Sequence, residues 1–243
     1  MKQVFLEIAE NQPLNDCVYK MTLVGDVSEI KAGQFINIKL GGLYLRRPIS
    51  VFNLGKDFIQ IIYKVVGKGT EEMSKMQEGV LDVLTGLGNG YDLEKSGNTP
   101  LLIGGGVGIP PLFELAKNLL AQGKKPWVIL GFNKAKEIFC KKDFEDLGLK
   151  TFITTVDGST GIKGFVTDAM DEQDYSYVYT CGPEPMLKAV YNKSKTSGQF
   201  SFEERMGCGF GACMGCSCKT LYGNKRICKD GPVLEKEEII WEN

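Results

Sequence analysis

The residues with the clearest chemical meaning are cysteines near the end of the chain. Five of the eight cysteines lie within residues 204–231, which read ERMGCGFGACMGCSCKTLYGNKRICKDG. Four of these follow the pattern C-x4-C-x2-C-x11-C, namely Cys208, Cys213, Cys216 and Cys228. A C-x4-C-x2-C run completed by a distant cysteine is the plant-type spacing for a [2Fe–2S] cluster held by four thiolates. Glycines between the cysteines allow the backbone to fold tightly around such a cluster.

The fifth cysteine, Cys218, raises a question about the fourth ligand. We prefer Cys228, because the opening run is then completed by a distant single cysteine. A structural zinc site would use two C-x2-C pairs, and the sequence contains only one. Disulfides suit short secreted chains, whereas this chain has 243 residues and its start lacks a signal-peptide core. The spacing therefore favours an iron–sulfur cluster over zinc or disulfides.

Two short stretches in the first third of the chain could bind phosphate. The first lies on a predicted strand and consists of Arg47, Pro48, Ile49 and Ser50. The second opens a predicted helix, with Thr70 as its N-cap, and consists of Gly67, Lys68, Gly69 and Thr70. A planar guanidinium suits a phosphate, and so do the free N–H groups of a helix start. Each stretch alone has an ordinary structural explanation, but together they predict a site for the pyrophosphate of a dinucleotide.

A glycine-rich turn follows a predicted apolar strand. It consists of Gly104, Gly105, Gly106, Val107, Gly108, Ile109, Pro110 and Pro111. The turn is not G-x-G-x-x-G, because Pro111 stands at the third glycine, and it lacks the Lys-Ser/Thr of a P-loop. The prolines suit a first helical turn, whose N–H groups have no helical partners. Four glycines in five positions indicate a close backbone approach, which favours a nucleotide over a plain turn.

A cysteine ends a later predicted strand at the same edge of the sheet. Cys181 is followed by Gly182 and Pro183. Free cysteine is commonly a buried apolar residue. Alternatively, Cys181 could contact the reacting end of a nicotinamide, which would make it a catalytic residue.

The segment after the second strand of this sheet bears on the choice of nucleotide. An NAD enzyme usually places a carboxylate there, and an NADP enzyme places an arginine. Residues 131–137, GFNKAKE, contain no arginine, and Asn133 could hydrogen-bond a free ribose 2′-hydroxyl. Lys134 and Lys136 could attract a phosphate, although solvated surface lysines are the simpler explanation.

The pattern of apolar residues divides the chain into three segments. Residues 1–97 contain short β-rich stretches with period-2 alternation, as in Ile36, Ile38 and Leu40, which predicts an antiparallel β-barrel. Residues 98–202 alternate strands with helices, including a helix over 164–171, and this predicts a parallel sheet covered on both faces. Residues 203–243 form a small cysteine-rich segment with a short tail. The predicted fold class is therefore β plus α/β.

Composition excludes several classes of function. The chain has no histidine, which excludes Ser-His-Asp catalysis, histidine–metal sites and Rieske ligation. A net charge of −1 argues against general binding to nucleic acid or to an anionic membrane. No apolar run approaches the length of a membrane span. We therefore expect a cytoplasmic protein whose thiols stay reduced.

The order of these motifs resembles the ferredoxin–NADP reductase superfamily. The motifs are R-P-I-S, G-x-G-T, G-G-G-x-G-x-x-P and C-G-P, in that order along the chain. The C-terminal C-G-x-G-A-C-x-x-C and C-x-D-G-P narrow the resemblance to the electron-transfer subunits of NAD-linked, class 1B dihydroorotate dehydrogenases. It covers essentially the whole chain.

The resemblance implies three cofactors and their sites. FAD would bind the barrel through Arg47–Ser50, the Gly69-Thr70 pair and a strand triplet of Ile62, Tyr63 and Lys64. NAD, the electron acceptor, would bind the α/β segment, and the four cysteines named above would hold one [2Fe–2S] cluster. An aromatic residue that the superfamily has in the first motif is replaced here by Ile49, which makes Tyr63 a candidate to stack on the flavin.

The resemblance also implies a partner and a pathway. Electrons would pass from the FMN of a catalytic subunit through the cluster and FAD to NAD⁺, in a heterotetramer of two plus two subunits that serves pyrimidine biosynthesis. Small subunits of sulfide dehydrogenases and NADPH–ferredoxin transhydrogenases are the alternative. A zinc-bearing adaptor without activity is a third hypothesis, and flavin and iron–sulfur absorbance would exclude it.

Overall fold

The structure is a computed structural model that describes residues 1–172 and 174–241. Residue 173 of the predicted second segment and residues 242 and 243 of the predicted third segment lie outside the described residues. The boundaries between the three predicted segments stay predictions.

The first half of the chain forms the predicted barrel. Its six strands are β1 (Lys2–Pro13), β2 (Val18–Val24), β3 (Phe35–Lys39), β4 (Arg47–Leu54), β5 (Phe58–Lys64) and β6 (Val80–Leu87). They close in the order β1-β2-β5-β4-β3-β6, and every neighbouring pair is antiparallel. Alternate side chains, such as Leu6, Ile38 and Ile61, are fully buried in its interior. Closure pairs every strand and leaves no open sheet edge.

One short helix, α1 (Lys68–Lys75), connects β5 to β6. The prediction that Thr70 is its N-cap is wrong, because Gly67 is the capping residue and Thr70 lies inside the first turn. The Thr70 hydroxyl oxygen instead accepts hydrogen bonds from the backbone amides of Val66 at 2.9 Å and Gly67 at 3.3 Å. This contact fixes the path of the chain that enters the helix.

The second half of the chain forms a seven-stranded sheet and a hairpin. The strands are β7 (Pro100–Gly105), β8 (Trp127–Phe132), β9 (Thr151–Thr155), β10 (Ile162–Lys163), β11 (Tyr177–Cys181), β12 (Gly198–Ser201), β13 (Ser217–Thr220), β14 (Gly223–Arg226) and β15 (Val233–Glu235). The sheet has the order β10-β9-β8-β7-β11-β12-β15, and β13 pairs with β14. All neighbours in the sheet are parallel except β12 and β15.

Helices cover both faces of this sheet, as predicted. They are α2 (Pro111–Ala121), α3 (Lys141–Asp146) and α4 (Glu184–Lys193). Along β7, Leu102 packs in the cluster that contains residues of α2 and α3, whereas Leu101 and Ile103 pack with residues of α4. Among the residues that the structure describes, no helix is long and apolar enough to cross a membrane.

Two parts of the second half differ from the prediction. The stretch predicted as a helix over 164–171 is a 3₁₀ helix over Val166–Glu172. The predicted short tail contains a strand that was not predicted, β15, which pairs with β12 and extends the sheet. The cysteine-rich segment is therefore anchored to the α/β half by backbone hydrogen bonds.

Candidate functional site

The four predicted cluster ligands lie in one loop and form two pairs. The Cys208 sulfur accepts hydrogen bonds from the backbone amides of Ala212 at 3.2 Å and Cys213 at 3.4 Å. The Cys216 sulfur accepts one from the backbone amide of Cys228 at 3.4 Å. Each pair, Cys208 with Cys213 and Cys216 with Cys228, brings two thiols side by side.

This paired arrangement fits a binuclear cluster better than a single metal ion. Within residues 1–172 and 174–241, no three cysteine, aspartate or glutamate side chains converge as a mononuclear site requires. A structural zinc ion would need four ligands at one point. A [2Fe–2S] cluster instead distributes four thiolates over two irons. Four thiols in two pairs therefore provide a donor set that fits this cluster.

The two ends of the ligand set differ electrostatically. Burial disfavours the thiolate of Cys208, but hydrogen bonds from backbone amides, that of Phe210 foremost, outweigh it and lower the pKa to about 6. At Cys228, burial and the adjacent Cys216 raise the pKa to about 12. The loop therefore stabilises negative charge at its open, N-terminal end.

Cys218 stands apart from the two pairs. It lies on β13 opposite Lys225 in the hairpin. Burial, followed by the nearby charge of Glu204, raises the pKa of its half-buried thiol. The position of Cys218 outside both pairs agrees with the choice of Cys228 as the fourth ligand. The ligand assignment itself stays a prediction.

An ion pair holds the end of the cysteine loop. The Arg226 guanidinium donates to the Asp230 carboxylate at 3.0 Å and to the Gly211 carbonyl oxygen at 2.9 Å. Arg226 keeps the pKa of Asp230 below its usual range. Gly211 has a φ of 91°, and a side chain there would lie 2.6 Å from Lys229. The loop therefore needs glycine at this position.

Asn37 attaches the loop to the barrel and was missed by sequence reasoning. The alternation in β3 predicted a solvent-facing side chain, but Asn37 is only 1% exposed. Its amide donates to the Cys208 carbonyl oxygen at 3.2 Å. Gly209 packs so closely on it that a Cβ there would lie 2.3 Å from Asn37 Nδ2. The only available signal was an amide among the apolar residues of β3.

The two predicted phosphate-binding stretches meet on the barrel. The half-buried Arg47 side chain lies against Gly69, where a Cβ would come within 2.2 Å of Arg47 Nε. A guanidinium therefore rests at the start of α1, whose free N–H groups also favour an anion. Arg46, by contrast, is tied to Asp82 by an ion pair of 2.9 Å. Arg46 is therefore already engaged, and phosphate binding by Arg47 stays a prediction.

The other predicted flavin contacts on β4 and β5 include half-buried and buried residues. Pro48, Ile49 and Ser50 are half-buried on β4. Ile62 and Tyr63 are buried, and the Tyr63 hydroxyl donates to the Asn11 side-chain oxygen at 3.0 Å. The Tyr63 ring packs within the barrel core, which does not present it for stacking on a flavin.

A cavity of about 780 Å³ lies between the barrel and the carboxyl edge of the sheet. Its volume suits a large organic ligand. Cys17, Val18 and the exposed Lys64 line it from the barrel, and Glu203 lines it from the segment after β12. The sheet contributes the ends of several strands and the residues that follow them, including Gly105, Gly106, Gly131, Phe132, Thr154, Val156 and Pro183.

The glycine-rich turn packs mainly against the protein itself. A Cβ at Gly104 would lie 2.8 Å from Ile109, one at Gly105 would lie 2.5 Å from Met186, and one at Gly108 would lie 2.4 Å from the Cys181 carbonyl oxygen. Gly106 differs, because it has a φ of 52° and open space around it. Gly105 and Gly106 line the cavity, and Pro110 is the N-cap of α2. The backbone can therefore approach a ligand most closely at Gly106.

Cys181 is buried next to the glycine-rich turn and does not line the cavity. The residue is 2% exposed and packs with Tyr91 and Tyr179. Burial and the nearby Glu203 carboxylate raise the pKa of its thiol. Gly182 and Pro183 follow it, and Pro183 reaches the cavity. A catalytic role for Cys181 stays a prediction.

Family models match the two C-terminal segments. A model described as the iron-sulfur cluster binding domain of dihydroorotate dehydrogenase B matches residues 203–240. A second, described as an oxidoreductase NAD-binding domain, matches residues 102–192. The matched ranges contain the cysteine loop and most of the seven-stranded sheet.

Curated relatives match almost the full length of the chain. The chain is 44% identical to the dihydroorotate dehydrogenase B (NAD(+)), electron transfer subunit, of Bacillus pumilus, and the match covers 98% of both chains. It is 42% identical to the subunit of the same name from Fusobacterium nucleatum, with 96% of both chains covered.

Solved structures show the same fold. A chain from an NADH-dependent reduced ferredoxin-NADP oxidoreductase, solved in a study of electron bifurcation, superposes with a TM-score of 0.90 at 29% identity, covering 98% of this chain and 90% of that one. A ferredoxin NADP+ reductase from Neisseria gonorrhoeae with bound FAD and NADP superposes with a TM-score of 0.68 at 15% identity, covering 79% and 90%. The second similarity supports the fold alone.

Proposed function

Because this chain belongs to the family of electron transfer subunits of NAD⁺-linked dihydroorotate dehydrogenase B, we propose that it carries electrons from a catalytic partner to NAD⁺. The single observation that best supports this proposal is the hydrogen bond from the Asn37 side-chain amide to the Cys208 carbonyl oxygen. It fixes the cysteine loop on the barrel, which also forms one wall of the nucleotide cavity. The sites for three electron carriers thus lie on one continuous scaffold.

Each site is assigned to residues of this chain. The pairs Cys208–Cys213 and Cys216–Cys228 hold a [2Fe–2S] cluster. The Arg47 guanidinium and the α1 backbone at Gly69 bind the FAD pyrophosphate. The cavity beside Gly106 takes NAD⁺. When bound, the cluster transfers single electrons, the flavin handles one or two, and NAD⁺ accepts a hydride, so the flavin is needed between the other two.

The residues of this chain position and shield these carriers. Arg226 and Asp230 hold the cysteine loop in place. The backbone amides at Cys208 stabilise negative charge on sulfur. Val18 and Phe139 add apolar side chains to the lining of the cavity.

The partner is proposed to contain FMN and the dihydroorotate site. The relatives are named electron transfer subunits, which implies a separate catalytic subunit. We propose two catalytic and two electron-transfer subunits in a cytoplasmic heterotetramer of pyrimidine biosynthesis. Neither nucleic acid nor a membrane surface is part of this proposal.

The ferredoxin-NADP oxidoreductase chain supports a second candidate, a subunit of a transhydrogenase-type complex. Its TM-score of 0.90 shows that the same architecture serves that reaction. The identity of 29% is below the 42–44% of the two relatives above. Dihydroorotate oxidation therefore remains the favoured function.

The isolated subunit allows a first test. We expect the anaerobically purified protein to contain flavin and one [2Fe–2S] cluster, and NADH to bleach its visible absorbance within seconds. The same measurement with NADPH distinguishes the two candidates. Reduction by NADPH at the same rate or faster would favour the transhydrogenase type, and reduction by neither nucleotide would reject the proposed function.

A further inference from the structure

One end of the cavity has the features of an adenosine site. Val156 and Phe165 line it and remain 41% and 65% exposed, although both are apolar. Asn133 lines the same region, directly after β8. Exposed apolar side chains at a cavity rim gain free energy when a planar base covers them. The adenosine of a dinucleotide is therefore best accommodated beyond β8 and β9.

A carboxylate stands beside this end of the cavity. Glu137 lies in a 3₁₀ turn over residues 135–137 and is half-buried. Its Oε2 atom accepts hydrogen bonds from the Asn133 side-chain amide at 3.1 Å and from the Asn133 backbone amide at 3.3 Å. No hydrogen bond within the described part of the chain reaches Glu137 Oε1. The Asn133 amide predicted to bind ribose is thus already engaged, and the carboxylate has an oxygen to offer.

Two of the nearby lysines have an aspartate beside them. Lys136 forms an ion pair of 3.5 Å with Asp16. The Ser159 hydroxyl and amide, and also the charge of Lys134, hold the pKa of Asp157 below its usual range. Each of these two lysines therefore has an aspartate beside it, and Glu137 adds a further carboxylate to this end of the cavity.

We propose that Glu137 makes this site select NAD(H) over NADP(H). Its carboxylate accepts a hydrogen bond from the adenosine ribose 2′-hydroxyl and repels a phosphate attached at that position. The inference rests on the proposed function, because it assumes that this cavity takes the nicotinamide nucleotide of that reaction.

Calorimetric titration with two nucleotide fragments tests the inference without electron transfer. The FAD- and cluster-loaded chain is titrated with 5′-AMP and with 2′,5′-ADP, which differ only in the 2′-phosphate. The natural chain should bind 5′-AMP more tightly. Glu137→Gln removes the charge but retains a hydrogen-bond acceptor, and it should reduce the preference by about fivefold or more, given the strength of charge repulsion at a few ångströms in water.

Two further variants sharpen the result. Glu137→Ala removes both charge and acceptor, and should weaken 5′-AMP binding as well. Glu145→Gln makes the same change on the exposed surface of α3, where the carboxylate pairs with Lys141, and should leave both affinities unchanged. An unchanged ratio of affinities in Glu137→Gln, or an equal change in Glu145→Gln, would overturn the assignment.

Flavin bleaching by NADH in the same samples separates this inference from the proposed function. Selective 5′-AMP binding that depends on Glu137, without flavin reduction by NADH, would reject the proposed function and retain the specificity role. Flavin reduction by NADH, together with a ratio of 5′-AMP to 2′,5′-ADP affinity that does not depend on Glu137, would retain the proposed function and overturn the specificity role. Failure of both fragments to bind would reject the cavity as a nucleotide site and overturn the inference.

Discussion

At the residue scale, the cysteine loop gives each ligand a different environment. Amide donors surround the Cys208 sulfur, whereas Cys228 is 1% exposed and lies against Cys216. Hydrogen bonds to sulfur favour the thiolate and tune an iron–sulfur cluster. The open end of the loop, near Cys213, is exposed to solvent.

Serine substitution tests the ligand set. Cys208→Ser, Cys213→Ser, Cys216→Ser and Cys228→Ser should each lose most of the bound iron and sulfide, because thiolate is the preferred soft ligand. Cys218→Ser is the matched control and should retain both. Iron and sulfide analysis with the visible spectrum measures the outcome. Loss in Cys218→Ser with retention in Cys228→Ser would show that the assignment is wrong.

Arginine substitution tests the flavin site. Arg47→Ala should weaken FAD binding by about 1.5–3 kcal/mol, the usual contribution of a hydrogen bond to a charged group. Flavin retained after dilution and gel filtration measures the effect. Lys56→Ala, at an exposed turn of the barrel, should retain its flavin. Full flavin retention in Arg47→Ala would contradict the phosphate contact.

Asn37 illustrates what sequence could not predict at this scale. The alternation of Ile36, Asn37 and Ile38 fits a half-buried strand, and it predicted that the amide faces water. The amide is covered by a loop 171 positions away along the chain. Local periodicity contains no information on such a contact. Glu137, by contrast, was visible in the sequence, but only the structure shows its bond to Asn133.

At the element scale, the long apolar strands and helices could be predicted, and the short elements could not. Strands β7 and β8 are continuous apolar runs, helix α2 has many buried apolar residues, and the ends are clear, such as the proline at the start of α2. Strand β15 has three residues, which is too few for any period. The 3₁₀ helix over Val166–Glu172 has helix-like composition, so its tighter winding left no signal in the sequence.

The glycine-rich turn provides a prediction at this scale. Gly108→Ala should destabilise the fold by roughly 1–3 kcal/mol, because the added methyl group overpacks against the backbone of Cys181. Gly106→Ala should cost about 1 kcal/mol, since only the left-handed backbone conformation is strained. Chemical denaturation compares the two variants. A smaller loss in Gly108→Ala than in Gly106→Ala would contradict the packing described for this turn.

At the scale of the whole molecule, a polar clasp joins the barrel to the α/β half. The Glu114 carboxylate of α2 accepts hydrogen bonds from the Leu54 backbone amide at 2.9 Å and from Lys117 at 2.7 Å. Lys117 also donates to the Asn53 side chain at 2.7 Å. The rings of Phe52 and Phe113 stack nearby at 4.5 Å. The clasp therefore fixes how the barrel faces the α/β half.

Removal of the clasp should affect both stability and hydride transfer. Glu114→Ala leaves the Leu54 backbone amide without its acceptor and removes one of the acceptors of Lys117, which should lower the free energy of unfolding by about 1–3 kcal/mol. It should also slow flavin reduction by NADH, because reaction requires a fixed geometry. Denaturation and stopped-flow absorbance measure the two effects. Glu145→Ala on α3 should change neither quantity. If Glu114→Ala is less stable but its flavin is reduced by NADH at the unaltered rate, the clasp does not position the two halves for hydride transfer.

The transfer of electrons from dihydroorotate to NAD⁺ tests the central claim most directly. The chain is co-expressed with the catalytic subunit from the same source, and NADH formation is followed at 340 nm after dihydroorotate is added without oxygen. We predict that NADH forms only when both subunits are present, and that Cys216→Ser in this chain abolishes it while Cys218→Ser does not. NADH formation by the catalytic subunit alone, or undiminished formation with Cys216→Ser, would contradict the account.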